Sequence, residues 1–175
     1  MIYHLARRRT FFFPVGLVVM LVLAKPTWPT YLAGLLLVIL GEIVRFWAAG
    51  HIRKSISLTS SGPFGCVRNP LYAGSFVMTV GYGVISNSLA AAVFAIVLFG
   101  MLHTAAILYE ERQLSKLFGQ EFTEYCKSVP RLFPKWPRGE PRQYSWRQAI
   151  ENSEHKSALF AAAAALAFAA RALVR

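Results

Sequence analysis

Long apolar blocks separated by short polar breaks constrain this chain more than any other feature. A membrane-crossing helix needs about 20 mainly apolar residues, and five stretches compete for that role: Thr10–Ala24, Tyr31–Gly50, Leu71–Ile85, Leu89–Leu108 and Ala158–Val174. The second carries Glu42 and Arg45. The third is short unless its flanking turns are helical, the fourth holds His103 as its only titratable group, and the fifth is Ala-rich and interrupted by Arg171. The first block follows Arg7-Arg8-Arg9 as a signal peptide would, but Lys25-Pro26 after Ala24 leaves no good cleavage site, so it reads as a retained helix. At 175 residues, 55% hydrophobic and 15% charged, the chain suits one domain and excludes disorder. Two cysteines, Cys66 and Cys126, make neither a disulfide scaffold nor a zinc site, and no metal site is expected. The expected fold class is all-α: a polytopic membrane helix bundle of about five transmembrane helices, with a cytoplasmic amphipathic helix and a C-terminal loop. It forms a single domain over 1–175, with 136–156 as connector and 157–174 as a candidate last span.

The charge pattern orients this bundle. Nineteen Lys and Arg stand against eight acids, all of them Glu. Threading five spans from the Arg7–Arg9 side gathers 15 of the 19 basic residues on that side, which the positive-inside rule makes cytoplasmic. The expected location is the cell (inner) membrane, with the N-terminus and the site facing the cytoplasm. Basic residues that line membrane exits point to anionic lipid headgroups. A nucleic-acid partner is not expected, because it would call for a basic soluble face.

Few residues are equipped for chemistry. Ser61–Gly74 begins as a Gly/Pro turn and enters a helix, with Asn69 suited to the N-cap and Pro70 to the first turn. Arg68 at that entry suits a phosphate or carboxylate. Gly81 and Gly83 flank Tyr82, which serves either close helix packing or the approach of a flat ligand. Glu110 and Glu111 stand at the edge of the fourth span and point about 100° apart, so one faces a ligand while its neighbour faces a lateral partner. His103, seven residues earlier, shares nearly the face of Glu110 and is either a hydrogen-bonding packer or a base. Glu42 and Arg45 share a face and either neutralise each other or line a polar cavity. From Leu114 to Val129 the apolar spacing is amphipathic and breakable at Gly119. Val129-Pro130-Arg131 then runs extended, with Arg131 either in a packed linker or acting as an anion clamp.

Taken in order, Arg45-Phe46-Trp47, Gly62-Pro63-Phe64, Arg68-Asn69-Pro70-Leu71-Tyr72, Gly81-Tyr82-Gly83, Glu110-Glu111-Arg112, Phe118-Gly119 and Val129-Pro130-Arg131 with Pro134 resemble the isoprenylcysteine carboxyl methyltransferase and phospholipid methyltransferase superfamily. The resemblance covers about residues 40–135. It implies an integral membrane enzyme that uses S-adenosyl-L-methionine and acts on a lipid or other lipophilic acceptor. It places the cofactor at Arg68, Pro70, Tyr72, Gly81, Gly83, Glu110 and Glu111, and the catalytic roles at Arg131, His103 and Asn69. Asn69 stands where the family has histidine; it can hydrogen-bond but cannot shuttle a proton. A glutamate of the pair suits the cofactor's amine, and Arg131 or Arg68 its carboxylate. A carboxylate or thiolate acceptor needs no general base, whereas a protonated amine does, with His103 or a glutamate as the base. The alternatives are an NADPH-dependent enzyme similar to sterol reductases, which share the arginine-x-proline-x-tyrosine element, and a non-enzymatic membrane scaffold.

Overall fold

A computed structural model describes residues 2–52, 57–131, 134–136 and 143–174, with side chains from residue 13 onward. The described residues form helices and no strand: α1 (Ile2–Leu23), α2 (Trp28–Ala49), α3 (Pro63–Cys66), α4 (Pro70–Ser86), α5 (Leu89–Ser128), α6 (Trp146–Glu151) and α7 (Glu154–Leu173). All five apolar blocks are helical. Three helices, α2, α5 and α7, are long and apolar enough to cross a membrane, whereas the apolar part of α1, Phe13–Leu23, is shorter, as is α4 with 17 residues. The side chains of Arg7–Arg9 lie outside the described residues.

Local chemistry sets the boundaries. Thr27 caps α2 in a reciprocal arrangement with Thr30, and a proline occupies its first turn. Between α4 and α5 the Ser86–Ser88 hairpin turns through Asn87 in the left-handed region, and Ser88 caps α5 by accepting from the Ala91 amide. This hairpin is tied to the α1–α2 loop: the Lys25 amide donates to the Ser86 carbonyl at 2.7 Å, and Asn87 Nδ2 donates to the Lys25 carbonyl at 3.1 Å. At the far end of α5, Gly119 (φ 50°, ψ −116°) breaks the helix as expected.

Glycine pairs bring α2 and α4 into close antiparallel contact. A β-carbon on Gly34 would lie 2.4 Å from the Gly81 carbonyl oxygen, and one on Gly41 would lie 2.6 Å from that of Gly74. Both helices space their glycines seven residues apart, which keeps them on one face. Small residues of this kind are how membrane helices achieve packing without a hydrophobic force between them. On the opposite side of α2, Leu32, Leu36, Ile39 and Ile43 are exposed, as a lipid-facing stripe requires.

The core joins all the long helices. Met20, Tyr31, Val38, Met78, Ile85, Ala95, Ala161 and Phe168 form one buried cluster. Tyr82 links α4 to α7 by donating to the Ala161 carbonyl at 2.8 Å and stacking on Phe168. The candidate last span is thus a 20-residue helix docked on the bundle. Its start is held by Asn152, whose Nδ2 donates to the Ala49 and Ile52 carbonyls. Arg45 pairs with Glu154 of α7 at 2.7 Å and with Glu42 at only 3.7 Å. The principal partner of Arg45 is therefore Glu154, a residue with no local signal in the sequence.

Candidate active site

The site grows from the turn that feeds α4. Gly62 takes φ +58° there and has the His51 ring against it, where a β-carbon would meet Cδ2 at 2.6 Å. After α3 the chain is gripped by the segment that follows α5. The Arg68 amide donates to the Pro130 carbonyl at 2.9 Å and the Lys135 amide to the Cys66 carbonyl at 3.0 Å. Tyr125 Oη donates to the Phe64 carbonyl at 2.8 Å. Burial pushes the Tyr125 hydroxyl above the usual tyrosine range, which keeps it a donor. Burial likewise raises the Cys66 thiol, which keeps it protonated and poorly nucleophilic.

Asn69 occupies the N-cap of α4, yet its side chain makes no capping hydrogen bond. Its Nδ2 is buried without a hydrogen-bond partner. Capping therefore does not explain the residue, and Pro70 alone supplies the expected first-turn chemistry.

The glutamate pair divides its work. Glu111 is 12% exposed and pairs with two arginines: Arg131 donates through Nε at 3.1 Å and Nη2 at 2.6 Å, and Arg68 Nη1 stands at 3.4 Å. This fork raises the Arg131 guanidinium further, the hydrogen bond to Glu111 being the main cause. Arg68 Nη1 also lies 3.1 Å from Cys126 Sγ, and its Nε is buried with no hydrogen-bond partner. Glu110 faces another way and accepts from Tyr72 Oη at 2.6 Å. Tyr72 meets the His103 ring edge-on at 5.3 Å, and His103 stacks on Phe99 at 3.8 Å. His103 Nδ1 lies 3.0 Å from the Phe99 carbonyl, which can only accept, so Nδ1 carries the hydrogen.

These groups meet at one end of a cavity of about 910 Å³. Arg68, Tyr72, His103, Glu110 and Gln113 line that end; Arg45, Glu154 and Lys156 also border the cavity, and Leu17, Met20, Phe94, Leu98, Phe160 and Ala164 supply apolar wall. Of the ten residues singled out from the sequence, Arg68, Tyr72, His103 and Glu110 form cavity wall. Asn69, Pro70, Glu111 and Arg131 are not among the lining residues; Glu111 and Arg131 brace Arg68 from outside. Gly81 packs on Gly34 of α2, and Gly83 faces Ala92 of α5, so neither contributes to the wall. Sequence reasoning missed Tyr125 as an anchor, although the amphipathic spacing had marked it as inward-facing. It missed Phe99, which carried no mark beyond its apolar block.

S-adenosylmethionine needs an anionic group for its amine, a cationic or donor group for its carboxylate, and an aromatic-lined space. Glu110, the unpartnered Arg68 Nε and the Tyr72–His103–Phe99 ring cluster meet those demands. The volume lies within the roughly 300–1,000 Å³ of small-molecule sites.

The phospholipid methyltransferase family matches residues 29–121. The nickel-cobalt-cadmium resistance protein NccN of Alcaligenes xylosoxydans xylosoxydans is 36% identical over 104 residues, 58% of this chain and 48% of the relative. Protein-S-isoprenylcysteine O-methyltransferase B of Arabidopsis thaliana is 31% identical over 123 residues, 63% of this chain and 62% of the relative. The protein-S-isoprenylcysteine O-methyltransferase of Rattus norvegicus is 32% identical over 127 residues, 64% of this chain and 43% of the relative. The chain thus spans about two-fifths to three-fifths of the length of these curated relatives. With α2, α4 and most of α5 inside the matched region, this chain belongs to the phospholipid methyltransferase family.

Proposed function

We propose that this chain is an integral membrane methyltransferase that takes its methyl group from S-adenosyl-L-methionine and passes it to a lipophilic acceptor. The observation that carries the reading is the Glu110 carboxylate, set by Tyr72 at the wall of a cavity that also holds Arg68. Five spans would place the N-terminus and this end of the cavity on the cytoplasmic side of the cell membrane, where 15 of the 19 basic residues gather.

When bound, the cofactor supplies an electrophilic methyl group on a sulfonium. Every other contribution comes from the chain. Glu110 takes the amine of the donor, and Arg68 Nε takes its carboxylate. Glu111 and Arg131 hold the Arg68 guanidinium in place and so act at one remove. Methyl transfer is an in-line displacement, and positioning of this kind can supply much of its rate. Asn69 Nδ2 is a buried donor beside this site and suits a hydrogen bond to donor or acceptor. Gly81 and Gly83 serve the site indirectly, by setting how closely α4 approaches α2 and α5. With Nδ1 of His103 tied to the Phe99 carbonyl, Nε2 is the nitrogen that would accept a proton from an amine acceptor; an acid or thiolate acceptor would leave it idle. The apolar wall of Leu17, Phe94, Leu98 and Phe160 suits an acceptor that enters from the bilayer. Two of the relatives carry an isoprenylcysteine in their names, and the family description carries a phospholipid, so both stand as acceptor classes.

The test is incubation of the purified chain in lipid nanodiscs with methyl-tritiated donor and a membrane lipid extract. Label should enter the organic-extractable fraction, and Glu110→Gln should reduce it at least tenfold at limiting donor. Binding of NADPH with no binding of S-adenosylmethionine would sink the proposal.

A further inference from the structure

The cavity continues from the Arg68–Glu110 end as a shaft that stops inside the bundle. One face of α4 lines it through Tyr72, Ser75, Met78, Thr79 and Tyr82, and that face rises about 15 Å from Tyr72 to Tyr82. A bilayer's hydrocarbon core is about 30 Å thick, so the shaft is as deep as the tails of one leaflet. Its deepest lining residues are Met20 of α1, Tyr82 of α4, Phe94 of α5 and Ala164 of α7. Just beyond them on the same four helices come Ala24, Ile85, Ala91 and Phe168, each 2% exposed or less and outside the lining. Tyr82 forms the floor, braced by Phe168, on which its ring stacks at 5.9 Å.

The deep part of this shaft offers hydrocarbon and little else. Arg45 reaches it only at the level of Ser75, which holds its Nη1, and no charged side chain lines it beyond Ser75 on α4 or Lys156 on α7. The hydroxyls beyond that level spend their hydrogens on backbone. Thr79 Oγ1 donates to the Ser75 carbonyl at 2.9 Å, and Tyr82 Oη donates to the Ala161 carbonyl at 2.8 Å. A polar ligand finds no free donor there, whereas an apolar one leaves water at a gain of about 25 cal/mol per Å². Room for it comes from α7, where Ala161 and Ala164 line the shaft yet are only 5% and 2% exposed. Opposite them Gly16 closes α1 onto α5, since a β-carbon there would lie 2.7 Å from Leu98 Cδ2. Both α1 and α7 lie outside the 29–121 stretch that matches the family.

We infer that this closed shaft holds the hydrocarbon tail of the acceptor, and that α1 and α7 set how long a tail is taken. The inference rests on the methyltransferase reading for what the tail belongs to. The test uses the full chain in lipid nanodiscs and two probes, an S-farnesylcysteine and a palmitoyl lysophosphatidylethanolamine, each with a photoreactive diazirine at the end of its tail. Cross-links mapped by mass spectrometry should fall on Met20, Tyr82 and Phe94, about tenfold above those on Leu36 of the lipid-facing stripe. The headgroup that labels the floor names the source of the tail. Ala164→Phe fills the shaft and should cut floor labelling about tenfold, and Leu17→Trp, at a half-buried wall position, should do the same. Calorimetry with S-adenosylmethionine should find donor affinity in both variants within about twofold of wild type. Should either variant fail to fold, the wild-type label map still decides. Label confined to Leu36 and its lipid-facing neighbours overturns the inference, as does unchanged floor labelling in a folded Ala164→Phe variant. Floor labelling without donor binding would sink the methyltransferase reading and leave the tail shaft standing.

Discussion

Two faces of α4 use small and polar residues to opposite ends. One face presents Tyr72 to Glu110 and His103, beside Arg68 and a cavity of about 910 Å³. The other presents Gly74 and Gly81 to Gly41 and Gly34 of α2 with no space between the backbones. The first face can admit a ligand because it is turned away from the glycine seam. The second can anchor the first because nothing larger than hydrogen separates it from α2. A glycine in a motif is therefore not of itself a ligand contact. Which role it takes depends on the helix face, and here Gly81 and Gly83 fall on the packing faces.

The largest expected effect lies on the sealed face. Gly34→Val puts a branched side chain where even a β-carbon would lie 2.4 Å from the Gly81 oxygen and 2.7 Å from the Ile85 amide. Backbone atoms cannot step aside, so the cost should reach about 3 kcal/mol or more, the upper end of overpacking. Thermal unfolding in detergent should show loss of the folded population. Survival with an unchanged melting temperature would break the account of the glycine seam.

Next comes Glu111→Gln, which strips Arg68 and Arg131 of their shared carboxylate. Removing one partner of a buried pair costs about 3 kcal/mol, and the exposure of Arg131 should bring this down to about 2 kcal/mol. The loss should appear both in denaturation and in donor affinity. Glu110→Gln should separate the two, with donor binding weaker by about tenfold, or about 1.4 kcal/mol, and little change in melting. If the two variants behave alike, the division of labour in the glutamate pair is wrong.

Smaller still is Tyr125→Phe, which removes one hydrogen bond to the Phe64 carbonyl at about 1 kcal/mol. It also carries a pH signature. The folded-state hydroxyl is raised above its ordinary value. The folded chain therefore holds this proton where the unfolded chain releases it, so its contribution is full below about pH 10 and is lost as pH rises beyond that. Stability curves of wild type and Tyr125→Phe should converge in alkali; a constant gap would contradict the assignment. Gly83→Ala marks the lower end, since its β-carbon meets only Ala92, Cβ at 3.2 Å and Cα at 3.5 Å. The helix-propensity gain of about 1 kcal/mol should offset that contact.

Much of this was legible in the sequence, and the exceptions share a cause. The apolar blocks, the first-turn proline at position 70 and the break at Gly119 are local signals that the folded chain uses locally. The divergence of Glu110 and Glu111, about 100° apart, follows from helix geometry alone. What sequence could not supply was register between distant segments. Glu154 becomes the partner of Arg45 only because α7 returns to α2. Gly81 meets Gly34 only at one alignment of two antiparallel helices. Asn69 had the right type and position for a cap, but its side chain makes no cap bond and its Nδ2 is buried without a hydrogen-bond partner. The span 136–156, expected as a plain connector, contributes α6 and the aromatic pair of Tyr144 and Trp146.

The central claim is that the open face of α4, and not its glycines, meets the methyl donor. Titration calorimetry of S-adenosylmethionine on wild type, Glu110→Gln and Gly83→Ala, each matched for folded fraction, tests it most directly. The account predicts affinity weakened about tenfold by Glu110→Gln and changed less than about twofold by Gly83→Ala. Unchanged binding in Glu110→Gln together with lost binding in Gly83→Ala would contradict it.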